Sequence, residues 1–157
     1  MDVINIYSKG EYPSDILSNF APNGFTLDGI RCESMEGFLQ SLKFRNKARQ
    51  VFICSLTGKV AKKCGTKKRA WKITGNAYWQ GKRYKRDSVE FDELIKRAYA
   101  AMYQNEIFKR ALESTRGKVL RHTIGKHSKR ATILTEEEFI SNLNLLRGGT
   151  YSCAGGK

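Results

Sequence analysis

The sequence predicts a single compact α+β domain that is mostly helical and contains a few short strands. Long segments repeat their apolar residues at helical spacing, and short strand-like runs and a hairpin signal lie between them. The chain has 157 residues, 40% of them hydrophobic and 28% charged, which suits one globular core. We assign residues 1–147 to this domain and residues 148–157 to a flexible Gly-rich tail.

The first predicted elements are a strand, a hairpin and a helix. Residues 3–7 alternate in part between apolar and polar side chains, as a short strand does. Residues 28–29 are an Asp-Gly pair with apolar flanks, which predicts a hairpin over residues 25–32 because this pair suits a tight two-residue turn. Ser34 is then predicted to cap a helix that extends to about Ala48.

The middle of the chain is predicted to contain two short helices, over residues 51–56 and 59–64, and then an irregular polar segment over residues 65–86. Residues 87–90 are an Asp-x-x-Glu variant of the capping box, and they open a long amphipathic helix. Asn105 is predicted to cap the helix that follows.

The end of the domain is predicted to contain two short strands and a last helix. The strands are expected over residues 118–123 and 132–134. Thr135 and Glu138 form a full capping box before an apolar helical repeat, and Gly148 is expected to end that helix.

The positive charge of the chain is concentrated in two segments without acidic residues. The formal net charge is +14, from 29 Lys and Arg against 15 Asp and Glu. Eleven of the basic residues lie in residues 59–86 and six in residues 116–130. Four aromatic residues interleave with the first segment: Trp71, Tyr78, Trp79 and Tyr84. This pattern favours an anion-binding surface over a merely solvated basic face, although the tryptophans also suit a core.

Several classes of protein lack support in the sequence. No apolar run is long enough to span a membrane, and no secretory signal follows Met1, so we expect a cytoplasmic protein with reduced thiols. The four cysteines do not have the spacing of zinc ligands. Dinucleotide-binding, P-loop, serine-hydrolase and zinc-protease motifs are missing, and we expect neither a metal nor a redox cofactor.

A carboxylate, an amide and an amine share one stripe of the helix that begins after Ser34. At 100° per residue, Glu36, Gln40 and Lys43 align while nearly all the apolar residues lie off the stripe. Such a stripe either lines a cleft at the edge of the core or is an ordinary exposed polar face. His122, on a predicted strand, is a candidate acid or base, or a structural histidine.

Several segments together resemble the NADAR domain family of YbiA-like N-glycosidases. The resemblance is carried by LSNFAPNGFTLDG, SMEGFLQSLKF, KVAKKCG, the stretch from YWQG to ALEST, and KVLRHTIGK, and it covers nearly the whole chain. It implies a compact α+β domain that cleaves N-glycosidic bonds to ribose. The implied substrates are ADP-ribose on guanine in DNA, RNA or nucleotides, or phosphorylated intermediates of riboflavin synthesis.

The resemblance also implies roles for individual residues. Glu36 would stabilise an oxocarbenium ion or activate water, and Lys43 would protonate the leaving base or form a Schiff base with an opened ribose. The family's Ser-Asn-Phe motif matches residues 18–20, of which Asn19 would bind ribose and Phe20 would stack on a base. The remaining implied substrate contacts are Ser18, Gln40, Lys62, Lys67, Arg69, Trp79 and His122.

One departure concerns the substrate. The YbiA branch has a Trp-Gly pair after the last strand, where this chain reads Ile124-Gly125. This difference places the riboflavin-type substrate second. A module that binds ADP-ribose or nucleic acid without turnover, or a basic protein that only contacts RNA, stays as an alternative from another class.

Overall fold

The structure, a computed structural model, describes residues 2–148, which form eight helices and six short strands. The helices are α1 Ser14–Leu17, α2 Met35–Ser41, α3 Lys47–Cys54, α4 Gly58–Thr66, α5 Ala70–Thr74, α6 Val89–Met102, α7 Glu106–Glu113 and α8 Glu136–Gly148. The strands are β1 Val3–Asn5, β2 Phe25–Leu27, β3 Ile30–Cys32, β4 Asn76–Trp79, β5 Lys82–Lys85 and β6 Val119–Arg121. The predicted α+β, mostly helical class is confirmed.

The strands form three separate pairs. Strands β2 and β3 make an antiparallel hairpin, as do β4 and β5, while β1 and β6 pair in parallel. The parallel pair brings the beginning of the chain beside residues 119–121. The predicted strands near residues 3–7 and 118–123 are therefore confirmed, with shorter bounds.

The hairpin predicted from the Asp-Gly pair is confirmed, and a second hairpin follows the same principle. Asp28 and Gly29 have φ angles of 50° and 80°, which is the geometry of a two-residue turn that matches strand twist. Gln80 and Gly81 have φ angles of 44° and 94° and join β4 to β5. The prediction of an irregular segment over residues 65–86 is wrong, because it contains α5 and this hairpin, whose second strand is too polar for an apolar pattern to show.

The helix predicted to extend from Ser34 to Ala48 is also wrong in length. Ser34 caps α2 by accepting a hydrogen bond from the backbone N–H of Gly37 at 3.0 Å, as predicted, but α2 ends at Ser41. Asn46 then caps α3, accepting from the N–H of Arg49 at 2.8 Å. This second cap lets the chain reverse, so that α3 packs back on α2.

Two helix and strand boundaries in the last third differ from the predictions. The cap of α6 is Ser88, which accepts from the N–H of Phe91 at 3.1 Å, and not the predicted box over residues 87–90. Residues 132–134 form no strand, because the carbonyl of Thr132 accepts a hydrogen bond from the Arg86 side chain and not from a neighbouring strand. The last capping box is confirmed by two reciprocal bonds of 2.8 and 3.1 Å between Thr135 and Glu138.

The core lies between α2, the two hairpins and α6. Phe38 of α2 makes edge-on ring contacts with Phe25 and Trp79, at centroid distances of 6.2 and 4.9 Å. Tyr99 of α6 is fully buried and contacts Phe139 of α8. These rings fix α2 in the middle of the domain. None of the helices within residues 2–148 has the length and apolar character needed to cross a membrane.

Gly37 of α2 lies directly against backbone carbonyl groups at the end of α3 and just after it. A Cβ atom at Gly37 would lie 2.7 Å from the carbonyl oxygen of Leu56 and 2.8 Å from that of Ile53. We expect Gly37→Ala to lower the free energy of unfolding by about 1–3 kcal/mol, because backbone atoms cannot move aside. Urea denaturation measures this change.

The matched control is Gly24→Ala, whose Cβ would meet only the guanidinium end of the exposed, flexible Arg31 side chain. We expect this control to stay within about 0.5 kcal/mol of the wild type. Equal unfolding midpoints for the two variants would contradict the close packing of α2.

Candidate active site

A cleft of about 560 Å³ opens beside the polar stripe of α2. Its walls come from residues 18–20, from α2, from the α4–α5 region, from the loop after β6 and from residues 131–135 before α8. This volume is within the range of pockets that hold small ligands and cofactors. The stripe of Glu36, Gln40 and Lys43 therefore faces a cleft and is not an ordinary exposed face.

Glu36 is a buried carboxylate at the inner end of the cleft. Its side chain accepts a hydrogen bond from Gln40 Nε2 at 2.7 Å, and its backbone N–H donates to the carbonyl of Asn19 at 3.0 Å. Burial raises the pKa of this carboxyl group, while the bond from Gln40 and the charges of Lys43 and Lys62 oppose the rise. Glu36 therefore has the environment of a proton-transferring carboxyl group rather than of a surface acid.

Lys43 lies two residues past the end of α2, in a turn where its backbone N–H donates to the carbonyl of Gln40 at 3.2 Å. The pKa of its ammonium group is lowered to about 8, mainly by burial and also by the charges of Lys72 and Lys126, against the opposing effect of Glu36. Its Nζ donates to the carbonyl of Gly65 at 3.5 Å. An amine with this pKa is partly neutral near pH 8 and can act as a nucleophile.

Gly65 of α4 lets the two helices approach at this stripe. A Cβ atom there would overlap the Oε1 atom of Gln40 and lie 3.1 Å from Cδ of Lys43. The absence of a side chain at Gly65 thus leaves room for the amide that holds Glu36 and for the stem of Lys43.

Trp71 forms the wall beneath the amine. Its side chain is buried, and Lys43 Nζ lies 5.6 Å from the centroid of its ring, with Lys72 Nζ at 5.9 Å. Both ammonium groups are close enough for cation–π attraction. The sequence showed Trp71 only as one of several interleaved aromatics and did not predict it as a site residue.

The Ser-Asn-Phe motif forms the opposite wall. Ser18 Oγ accepts from the N–H of Phe20 at 3.1 Å, which fixes the turn. Asn19 Oδ1 accepts from the hydroxyl of the buried Tyr99 at 2.8 Å. This bond fixes the orientation of the Asn19 amide, and Phe20 presents a half-buried ring to the cleft.

His122 lines the cleft in one defined orientation. Its Nδ1 lies 2.7 Å from the carbonyl oxygen of Ile6 and must carry the proton of that hydrogen bond, because a carbonyl only accepts. The ring packs edge-on against Phe139 at 5.1 Å, and the backbone N–H of His122 donates to Glu136. The Nε2 atom is the ring nitrogen left to interact within the cleft.

The rim of the cleft is strongly positive, and residues of both acid-free segments contribute to it. Its cations, besides Lys43, are Lys62, Lys68, Arg69, Lys72 and Lys126. Glu36 is the single carboxylate in the cleft wall among the residues that the structure describes. Such a rim suits a ligand with several phosphate charges.

Two of the predicted substrate contacts lie elsewhere. Lys67, the C-cap of α4, is exposed and does not line the cleft, and the next residue, Lys68, lines it instead. Trp79 is buried in the core, where its Nε1 donates to Asp28 at 2.9 Å, so the expected stacking of Trp79 on a base is wrong. Its apolar ring is more favourably used against Phe38.

Lys68, Lys72 and Lys126 line the cleft but were not predicted as individual site residues. Lys68 and Lys72 are four residues apart around the start of α5, a spacing that shares a helical face, but a segment predicted to be irregular hides that spacing. Lys126 lies in a loop, and no local pattern predicts that this loop, with Ile124 and Gly125, lines the cleft.

This fold is shared with a solved structure. The solution structure of the Escherichia coli protein YbiA matches 96% of this chain and 85% of its own, with a TM-score of 0.61 and 18% sequence identity. That likeness confirms the NADAR resemblance at the level of the fold.

The chain belongs to the family described as bacteriophage protein GP30.3, whose model matches residues 11–148. It is also 42% identical over 149 residues to the 17.1 kDa protein of the Gp30-rIII intergenic region of Enterobacteria phage T4. That alignment covers 94% of this chain and 98% of the phage T4 protein.

The lowered pKa of Lys43 predicts selective labelling of this residue. Reductive methylation or acylation followed by peptide mass spectrometry should give a half-reaction point near pH 8 for Lys43. An ordinary exposed lysine titrates about two units higher. In Glu36→Gln the midpoint should fall further, because the carboxylate charge stabilises the ammonium form. A midpoint for Lys43 in the ordinary lysine range would contradict its buried environment.

Proposed function

We propose that this protein is an N-glycosidase that hydrolyses the bond between a base and the ribose of ADP-ribose, and that it removes ADP-ribose from guanine. The observation that carries the proposal is that Glu36 of the buried helix α2 and Lys43, two residues past the end of that helix, line the same cleft, which has a cationic rim. The NADAR resemblance and the shared fold support it. A module that only binds would not need a buried carboxylate beside an amine of lowered pKa, because burying both costs stability.

The substrate would be held at three places. The cations of the rim bind the pyrophosphate. Among them, Lys72 and Lys126 are near enough to Lys43 for their charges to lower its pKa. The amide of Asn19, fixed by Tyr99, binds ribose hydroxyl groups, and the ring of Phe20 stacks on a base. This arrangement directs the anomeric carbon of the ribose toward the stripe of α2.

The neutral amine of Lys43 acts as the nucleophile. It attacks the anomeric carbon, a C–N bond to lysine forms, and the bond to the base breaks with its electron pair leaving on the base nitrogen. Glu36 stabilises the oxocarbenium character that develops at this carbon and transfers the proton that the leaving base takes up. The raised pKa of Glu36 suits this exchange of a proton.

Hydrolysis completes the cycle without a redox step. The ring C–O bond opens, its oxygen takes the proton that the Lys43 nitrogen gives up, and an iminium ion joins Lys43 to the opened ribose. Water then adds to the iminium carbon, with Glu36 as the base that accepts its proton, and the amine leaves. Lys43 and free ADP-ribose are the products of this step.

Removal of either group on the stripe should abolish turnover and preserve binding. We expect Glu36→Gln and Lys43→Met to lower the rate of ADP-ribose release from ADP-ribosylated guanine by about 10²- to 10⁴-fold. Affinity for ADP-ribose, measured by calorimetry, should change little, since the other rim cations remain. Chromatography of free ADP-ribose measures the rate.

The matched controls are Glu93→Gln and Lys63→Met. Glu93 is exposed on α6, and Lys63 is exposed on α4 next to Lys62 without lining the cleft. Both controls should retain wild-type rates. Full activity in both stripe variants would refute the proposed function.

Borohydride distinguishes the lysine route from direct attack by water. Reduction during turnover should convert the iminium ion into a stable secondary amine, and mass spectrometry should find ADP-ribose less one oxygen atom on Lys43. Lys43→Met should show no adduct. If turnover proceeds in the wild type and no adduct forms, Glu36 activates water directly and Lys43 protonates the leaving base.

A further inference from the structure

The cationic rim continues into a larger basic surface outside the cleft. Between Gly37 and Arg86 the chain has fifteen Lys or Arg residues and no Asp or Glu. One of them, Arg86, is buried in a two-bond ion pair with Glu138 and belongs to the fold. Most of the others are exposed, so the excess of charge is directed to solvent.

Aromatic rings lie beneath two of these cations in a continuous path from the cleft. Lys68, at the rim, has its Nζ 5.3 Å from the ring of Phe44. Arg45, which follows Phe44 in the chain, has its guanidinium carbon 5.6 Å from the ring of Tyr78 on β4. Phe44 and Tyr78 are both half-buried, so each presents part of a flat ring next to a cation.

The outer face of the second hairpin extends this path. Tyr78 is paired across the strands with Arg83, and Asn76 with Lys85, and cross-strand partners project from the same face. Ala77, opposite Tyr84, and Trp79 project inward, where they are buried. Tyr78 thus has the guanidinium group of Arg45 over its ring and the exposed Arg83 as its cross-strand partner.

A buried amide holds the path rigid. Gln50 is fully buried, and its Nε2 lies 2.9 Å from the carbonyl of Phe44 and 2.7 Å from that of Tyr78. Its Oε1 accepts from the backbone N–H of Gln80 at 2.9 Å. The loop after α2 and the second hairpin are therefore joined into one preorganised surface, which reduces the entropic cost of binding.

We infer that this surface binds a single strand of nucleic acid and leads it to the cleft. We define it as the strand-binding surface, formed by Phe44, Arg45, Tyr78, Arg83 and Lys85. Cations beside flat rings neutralise phosphates and stack on bases, which is how single strands are held without sequence preference. A lipid surface would use the cations but not the rings in this rigid arrangement.

Only one part of the inference rests on the proposed function, namely that the bound strand delivers a modified base to the cleft for cleavage. A base whose glycosidic bond is cleaved must leave a duplex to enter a cleft, and a single strand avoids that cost. The strand-binding surface would then hold the neighbouring nucleotides. Binding of an unmodified strand tests the surface independently of any cleavage.

The binding experiment uses fluorescence anisotropy of a labelled oligothymidylate of about 15 nucleotides, within the site sizes of single-strand binders. The triple variant Arg45→Ala, Arg83→Ala, Lys85→Ala should make the negative slope of log K against log salt shallower by about 2, since each lost contact to a single strand removes about 0.7. Tyr78→Ala should weaken binding about 5- to 150-fold, and Tyr78→Phe should preserve it.

A matched triple variant removes the same charge elsewhere. Lys96, Lys109 and Lys118 lie outside residues 37–86, and Lys109 also has its Nζ over an aromatic ring, that of Tyr103 at 5.3 Å. Replacing these three with Ala should leave the salt slope unchanged. Circular dichroism and thermal unfolding of each variant verify that it is folded.

Three results would overturn the inference. They are no oligonucleotide binding by the wild type at about 50 mM salt, an equal loss of binding in the two triple variants, or binding to phosphatidylglycerol vesicles alone.

Measuring cleavage of two substrates distinguishes a failure of the inference from a failure of the proposed function. The first triple variant should raise KM for an ADP-ribosylated oligonucleotide and leave an ADP-ribosylated guanosine nucleotide unaffected. Strand binding with no cleavage of either substrate would refute the proposed function alone.

Discussion

The burial of α2, with one stripe facing the cleft, is the constraint on which the rest of the structure depends. All seven of its residues are buried, so a polar side chain there relies on partners within the protein, which Gln40 Oε1 lacks among the described residues. Gly37 and Gly65 allow the neighbouring backbone and side chains to approach, and Gln40 donates to Glu36 within the helix. The same enclosure shifts the pKa of Glu36 upward and that of Lys43 downward, because burial disfavours both charges.

The electrostatic field at the cleft follows from how the fold sorts its ionic groups. Arg86 and Arg121 are paired with Glu138 and Glu136 of α8, and these pairs join the second hairpin and β6 to the last helix. The acids near the cleft are thereby used in structural contacts, and the rim cations have no acid partner among the described residues. The result is a positive field around one buried carboxylate, which attracts polyanionic ligands and favours a neutral amine at Lys43.

The second hairpin, formed by β4 and β5, has one face packed in the core and one face toward solvent. Its inner face contributes Ala77 and Trp79 to the core, and its outer face exposes Tyr78 and Arg83 to solvent. The alternation of a strand makes this division possible within four residues. Since Gln50 joins the hairpin to the end of α2, packing of the core also determines the distance between the outer face and the cleft.

The sequence by itself determined the turns, helix caps and helical spacings of this protein, which depend on interactions between near neighbours in the chain. The Asp28-Gly29 turn, the Ser34 cap, the Thr135 and Glu138 capping box and the Glu36 to Lys43 stripe were all predictable, because turns, caps and helical spacing involve only near neighbours. The tertiary structure alone decided that Trp79 is a core residue, that Trp71 lies beneath Lys43, and that Lys126 meets the first basic segment. These outcomes depend on contacts between distant parts of the chain, where burial of an aromatic ring or convergence of like charges leaves no local pattern.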